Sequence, residues 1–242
     1  MKVSIMKKTQ RNLDRNSVTR WLVYVCAAVL ISAGALTASA AGNPNPGILP
    51  SQSRPQGHSY GEWAAAWWQW VYRIPADHNP VTDSTGEFAN VGQSGGVFFL
   101  AGNFGGATVR ECVVPAGKML FFPLLNQNWV QFPTDPPFTI PELREIIAPF
   151  VDDPVLLCEI DGEAVQNPRS YRTQSSVFSV TVPAGNLLGL DPGTYAPCVD
   201  DGYYLMLAPL RPGPHTIHFA SQNSDGSFSL DVTYHLTVRP GR

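Results

Sequence analysis

Several residue groups in this chain of 242 residues have the side chains that chemistry requires, and their spacing tests each of them. His215 and His218, in the run His-Thr-Ile-His, look like a pair of metal ligands. On a strand, however, residues three apart point to opposite faces, so the two cannot share an ion within one extended segment. The pattern places one histidine in a hydrogen-bonded interior site and the other outside. His235 falls on the polar side of its own strand and is expected at the surface. Asp152-Asp153, Asp200-Asp201 and Asn223-Ser224-Asp225-Gly226 offer oxygens to calcium, but none has the spaced acids of an EF-hand loop. Calcium is at most incidental, no other cofactor is implied, and Asp225-Gly226 reads more simply as a hairpin turn.

Catalytic arrangements fare no better. Ser94, in Gly92-Gln93-Ser94-Gly95-Gly96, lacks the strand-to-helix setting of a nucleophile elbow. Glycoside hydrolysis needs two carboxylates across a cleft, and nothing in the sequence pairs Glu62, Glu87, Glu111, Asp83 or Asp201. The glycines from Gly102 to Gly106 lead into a strand, not into the helix that a phosphate-cradling loop requires. No catalytic residue is assigned. Aromatic side chains remain, and they bind ligands by stacking. Trp68 and Tyr72 are the better candidates for exposure on the tryptophan-rich segment, and Trp129 follows the polar run Asn126-Gln127-Asn128 as a third stacking candidate.

These residues need elements to position them. Gly61 to Ile74 is helical, with Pro75 ending it. At about 100° per residue, Trp63, Trp67, Trp70 and Ile74 share one side, Trp68 and Tyr72 a second flank, and Glu62, Gln69 and Arg73 a narrow polar stripe. A helix this apolar is mostly buried, which places Trp63, Trp67 and Trp70 in a core. A second, short helix runs from Glu142 to Val151, capped by Thr139 with Pro141 in its first turn. Strands are expected at 97–101, 107–114, 118–124, 155–160, 171–182, 203–208, 214–220 and 228–238, separated by Gly and Pro turns. The last alternates strictly, Phe228, Leu230, Val232, Tyr234, Leu236 and Val238 against polar neighbours. The expected fold is mainly β, an antiparallel β-sandwich of jelly-roll or immunoglobulin-like type carrying an N-terminal Trp-rich helix and one further short helix.

The first 40 residues read as a secretory leader. Lys2, Lys7, Lys8, Arg11, Arg15 and Arg20 face one acid, Asp14. An apolar run from Trp21 to Leu36 follows, with small residues Ala38 and Ala40 placing a cut after Ala40. The apolar run is shorter than a spanning helix needs, so no membrane anchor is expected after cleavage. Of 16 Lys and Arg six lie in the leader, and of 19 Asp and Glu one, which leaves 10 against 18 and a net charge near −8. Lys118 is then the only lysine. Such an acidic chain offers no footprint for phosphate backbones, so nucleic acid is excluded as a partner. Residues 41–59, rich in Pro, Gly, Asn and Ser, read as a flexible lead-in, and 60–242 as a single domain. In an oxidising compartment two of Cys112, Cys158 and Cys198 are expected to pair, and the sequence leaves all three pairings open.

The motifs together resemble an uncharacterised family of secreted bacterial β-rich proteins. The likeness is carried by Glu62-Trp63 with Trp67-Trp68-Gln69-Trp70, by Val114-Pro115-Ala116-Gly117-Lys118, by Asp201-Gly202-Tyr203-Tyr204 and by Pro212-Gly213-Pro214-His215-Thr216-Ile217-His218-Phe219. What it implies is a small exported domain, without an assigned activity. The sequence therefore points to a secreted or periplasmic binding or interaction module, more than to an enzyme. Its ligand would be an extracytoplasmic one such as a carbohydrate or a cell-envelope component. A hydrolase of envelope or extracellular polymers and a structural surface protein are the alternatives.

Overall fold

The period-two run near the C-terminus becomes the longest regularly alternating strand, with Leu230, Val232, Tyr234, Leu236 and Val238 buried and their neighbours outside. The computed structural model describes Asn45 and residues 47–240; the leader and its cut after Ala40 lie outside them. Among the described residues no helix is long and apolar enough to cross a membrane. The strands are β1 (Val97–Phe99), β2 (Gly106–Pro115), β3 (Met119–Val130), β4 (Val155–Ile160) and β5 (Glu163–Ala164). They continue as β6 (Arg172–Gln174), β7 (Phe178–Val182), β8 (Gly193–Leu207), β9 (Gly213–Gln222) and β10 (Ser229–Arg239). The helices are α1 (Tyr60–Tyr72) and α2 (Ile140–Val151).

Two five-stranded sheets form the sandwich. One has the order β1-β3-β8-β6 with β7 also on β8, and the other β2-β10-β9-β4-β5. Most neighbours are antiparallel as expected, but β1 runs parallel to β3 and β2 parallel to β10. Both exceptions are edge strands laid beside a partner that no hairpin joins them to, so no tight turn dictates their direction. On β3, Phe122 meets Phe219 of the facing sheet at 5.4 Å, while Phe121 stacks on Tyr204 at 5.2 Å and touches Tyr60 of α1. Because successive side chains alternate, α1 and the second sheet cover opposite faces of the first. That sheet is therefore the middle layer, and β8 from Cys198 to Leu207 is buried throughout. Helix α2 lies on the second sheet's side, with Leu143 and Ile147 against Val199 and Phe150 against Phe228.

α1 begins with reciprocal caps. Ser59 accepts from the Glu62 amide, and the Glu62 carboxylate accepts from the Ser59 amide at 2.7 Å. Ser59→Ala is expected to lower stability by about 1 kcal/mol in urea unfolding. An unchanged midpoint would mean that packing alone fixes this end of the helix.

Several expectations need correcting. The lead-in is not a loose tether from Gly47 onward. Ile48 is buried and bridges Leu207, the Leu49 amide donates to Met206, and the Ala208 amide to Gly47. β3 runs on to Val130, past the expected end at 124, and β8 starts at Gly193 instead of 203. Among the described residues there is no disulfide: Cys112, Cys158 and Cys198 are all buried and free. Cys112 and Cys158 sit on β2 and β4, separated by β10 and β9. Three strand spacings of about 4.8 Å far exceed the roughly 7 Å limit for bridged Cα atoms. Cys198 belongs to the other sheet. Burial pushes all three thiols up to about 12, so they are inert apolar filling.

Candidate functional site

Trp68 and Tyr72 are one helical turn apart on α1, and their rings stack at 5.3 Å with 21° between planes. Trp67 crosses Trp68 edge-on at 4.9 Å and anchors the helix by donating its indole N–H to the Leu100 carbonyl. Trp68 and Tyr72, the candidates for exposure on this helix, are only 8% and 6% exposed, because the flank that carries them faces β3 and β8. What they border is a cavity of about 260 Å³.

The cavity exists because β1 is short. β1 accompanies β3 only from Met119 to Phe121, and after Leu100 the chain turns away through Ala101 and Gly102. From Phe122 to Val130, β3 keeps β8 on one side and has no strand on the other. Six consecutive residues, Pro123 to Asn128, line the cavity. Alternating side chains can do this only if the cavity runs along the free edge of the strand. Trp67, Trp68 and Tyr72 close one side and Phe150 and Phe228 the other, with Asn103 and the 67% exposed Phe104 at the mouth.

Amides supply the polarity. Asn126 donates to the Tyr204 hydroxyl at 2.9 Å, and Asn128 and Tyr72 exchange hydrogen bonds of 2.9 and 3.2 Å. Gln127 stands between them. The wall contains no acidic or basic side chain. Behind it lies Asp200, fully buried, whose Oδ1 accepts the Trp68 indole N–H at 2.7 Å and the Tyr204 hydroxyl at 2.8 Å. Its Oδ2 has no hydrogen-bond partner among the described residues. Burial pushes the Asp200 carboxyl up to about 8 although both hydrogen bonds oppose the shift. The shift favours the neutral, protonated carboxyl, and the same burial holds the Tyr204 phenol far above its ordinary value. β3 and β8 approach closely here. A side chain at Gly202 would place its Cβ 2.6 Å from the Cβ of Asn126 and 2.8 Å from the Leu125 carbonyl, so glycine is required.

A buried cation fixes the loops. Arg110 of β2 donates to the carbonyls of Asp83, Ala101 and Gly102 and to the Tyr234 hydroxyl, at 2.7, 2.7, 3.0 and 2.7 Å. Its guanidinium also lies over the Tyr234 ring. It donates as well to the Val81 carbonyl at 3.4 Å, and so ties down both Gly102 and Val81, two parts of the cavity wall.

The remaining candidates lie elsewhere. Trp129 packs edge-on against Phe138 and borders a neighbouring cleft. His215 is bound to Asp161 at 2.7 Å and to the Arg211 carbonyl at 2.9 Å. Burial works to lower its pKa, but those two partners prevail and raise it. His218 sits near Glu159 and Asp231, and His235 is exposed. Arg172 holds Asp152 and Asp201, Arg169 holds Asp153, and Asp225 closes its own turn onto Ser227. Glu62 caps α1, Asp83 accepts from the Thr85 and Phe88 amides, and Glu87 and Glu111 are exposed. Ser94 is exposed in the loop before β1. The sequence reading missed Asn126 to Asn128 as wall residues and Asp200 as their support, because both polar runs look like loop. The one signal available was that each run abuts a long apolar strand. Comparison of the chain with protein-family models, with curated proteins and with solved structures gives no match.

Proposed function

We propose that this protein is an extracytoplasmic binding module, and that its cavity takes an uncharged, ring-shaped ligand rich in hydroxyl groups, a neutral sugar unit above all. The observation that carries this reading is the composition of the wall: aromatic rings beside a row of amides, with no charge. An ionic ligand would be desolvated there without a counter-charge, at a prohibitive cost. A polyhydroxylated ring instead presents apolar faces to the aromatic side chains and hydroxyls to Asn126 and Gln127. The volume, about 260 Å³, lies just below the ~300–1,000 Å³ range of drug-sized ligand pockets, which suits a single small ring. Hydrolysis would call for two carboxyl groups flanking the ligand; the wall has none, and Asp200 stands behind Trp68. That favours binding. The extracytoplasmic setting rests on the leader in residues 1–40.

Trp67 and Trp68 make binding visible. Titration with glucose, xylose and N-acetylglucosamine should give a saturable change in tryptophan fluorescence for at least one sugar. Gln127→Ala should weaken that response about tenfold, the order of one or two lost hydrogen bonds. A flat response to all neutral sugars and their oligomers would sink the proposal.

A further inference from the structure

We infer that the ligand is a linear neutral oligosaccharide, lying along β3 across two adjoining subsites. This deepens the reading of the cavity as a sugar site and rests on it. A second cleft, of about 240 Å³, lies against Asn128, Trp129, Val130 and Phe132. The first cavity follows β3 from Pro123 to Asn128, and the second takes over from Asn128 to Val130. At about 3.3 Å per residue the two cover roughly 20 Å of strand, longer than one sugar ring requires. Tyr72 and Asn128 border both spaces. Their mutual hydrogen bonds form the post between the subsites. Both side chains keep hydrogen-bonding capacity for a ligand that passes them, since an amide has two N–H groups and an oxygen with two lone pairs.

The second subsite repeats the chemistry of the first. Phe132 is half-buried, and it is held edge-on by Tyr195 at 6.4 Å. Trp129, next to Asn128 along the strand, turns its ring to the opposite side, against Phe138 and α2, so the aromatic face of this subsite is that of Phe132. The single carboxylate nearby, Asp135, already accepts the Phe132 amide at 2.9 Å. A rival occupant of an unpaired strand edge is an extended peptide added as a further strand. The aromatic rings that line both clefts, Trp68 and Tyr72 at the first and Phe132 at the second, favour a sugar, because an added strand would use backbone partners and not stacking faces.

The test is calorimetry of the purified protein with two series, glucose to cellotetraose and N-acetylglucosamine to chitotetraose, and with the neutral peptide Ala-Ser-Ala-Gly-Ala-Ser. Affinity for one series should rise at least tenfold from monomer to trimer and then level off. Phe132→Ala should remove most of that gain while leaving monosaccharide affinity within about twofold. Equal affinity for monomer and oligomers in the unaltered protein would overturn the inference and leave the single-sugar site standing. That comparison does not depend on the folding of any variant. Saturable binding of the peptide with no response to any sugar would overturn both readings, and assign the groove to strand addition.

Discussion

Replacing Arg110 by methionine is expected to cost roughly 3–5 kcal/mol, because it takes the donor away from several buried carbonyls at once. The side chain is 1% exposed, and its donors serve four carbonyls and one hydroxyl inside the protein. Methionine fills much of the space but donates nothing, so the carbonyls of Val81, Asp83 and Gly102 lose their donor at about 1–3 kcal/mol each, while Ala101 and Tyr234 keep the hydrogen bonds they make with each other. Lysine should rescue only part of the loss, because an ammonium on a flexible stem does not reproduce the planar fork. Against a typical domain stability of ~5–15 kcal/mol, the methionine variant should show a sharply lower urea midpoint. It should also lose the saturable sugar response, since Gly102 and Val81 would no longer be fixed. A midpoint shift equivalent to less than about 1 kcal/mol would show that the loops hold without the guanidinium.

Asp200 sets the second large effect, and its sign is specific. Its carboxyl keeps a proton in the folded protein up to about pH 8, whereas in the unfolded chain an aspartate loses it near pH 3.9. Between these values the folded state binds more protons. Stability contributed by this group is therefore complete below about pH 4 and falls as pH rises towards 8, by up to about 1.4 kcal/mol per pH unit. Asp200→Asn retains an oxygen to accept from Trp68 and Tyr204 and has nothing to ionise. Urea midpoints for the two proteins at pH 4.5, 6.0 and 7.5 should converge towards the acid end and separate in favour of the asparagine variant as pH rises. His215 titrates alike in both proteins, so the difference isolates Asp200. Parallel profiles would mean that Asp200 is ionised when folded.

The sandwich was legible wherever apolar and polar residues alternate or turns carry Gly and Pro. The tryptophan helix and β10 are the clearest cases, because one buried stripe or one buried face decides each of them. β8 defeated that logic. It lies in the middle layer, and Asp200 and Asp201 are buried within it because partners remote in sequence satisfy them: Trp68 and Tyr204 for one, Arg172 for the other. Local pattern cannot anticipate such partners. Asn126-Gln127-Asn128 fell beyond the expected strand end at 124 for the same reason; their strand neighbours are Asp200 to Gly202, equally polar in appearance. The cysteines were misread from compartment alone, since their distance across the sheet depends on strand order. For the site, Trp68, Tyr72 and Trp129 were picked for stacking, but the space they border depends on where another strand ends.

That ending has a wider consequence. β1 stops at Phe99, and the length of groove left beside β3 is what a longer β1 would otherwise occupy. The strand thus works as a ruler: each two residues added to it would seal one more pair of backbone positions on β3 and shorten the opening from one end. Ligand size would then be adjustable by moving the point at which Gly102 leads the chain away, with Phe121, Tyr204 and the rest of the packed interior left as they are.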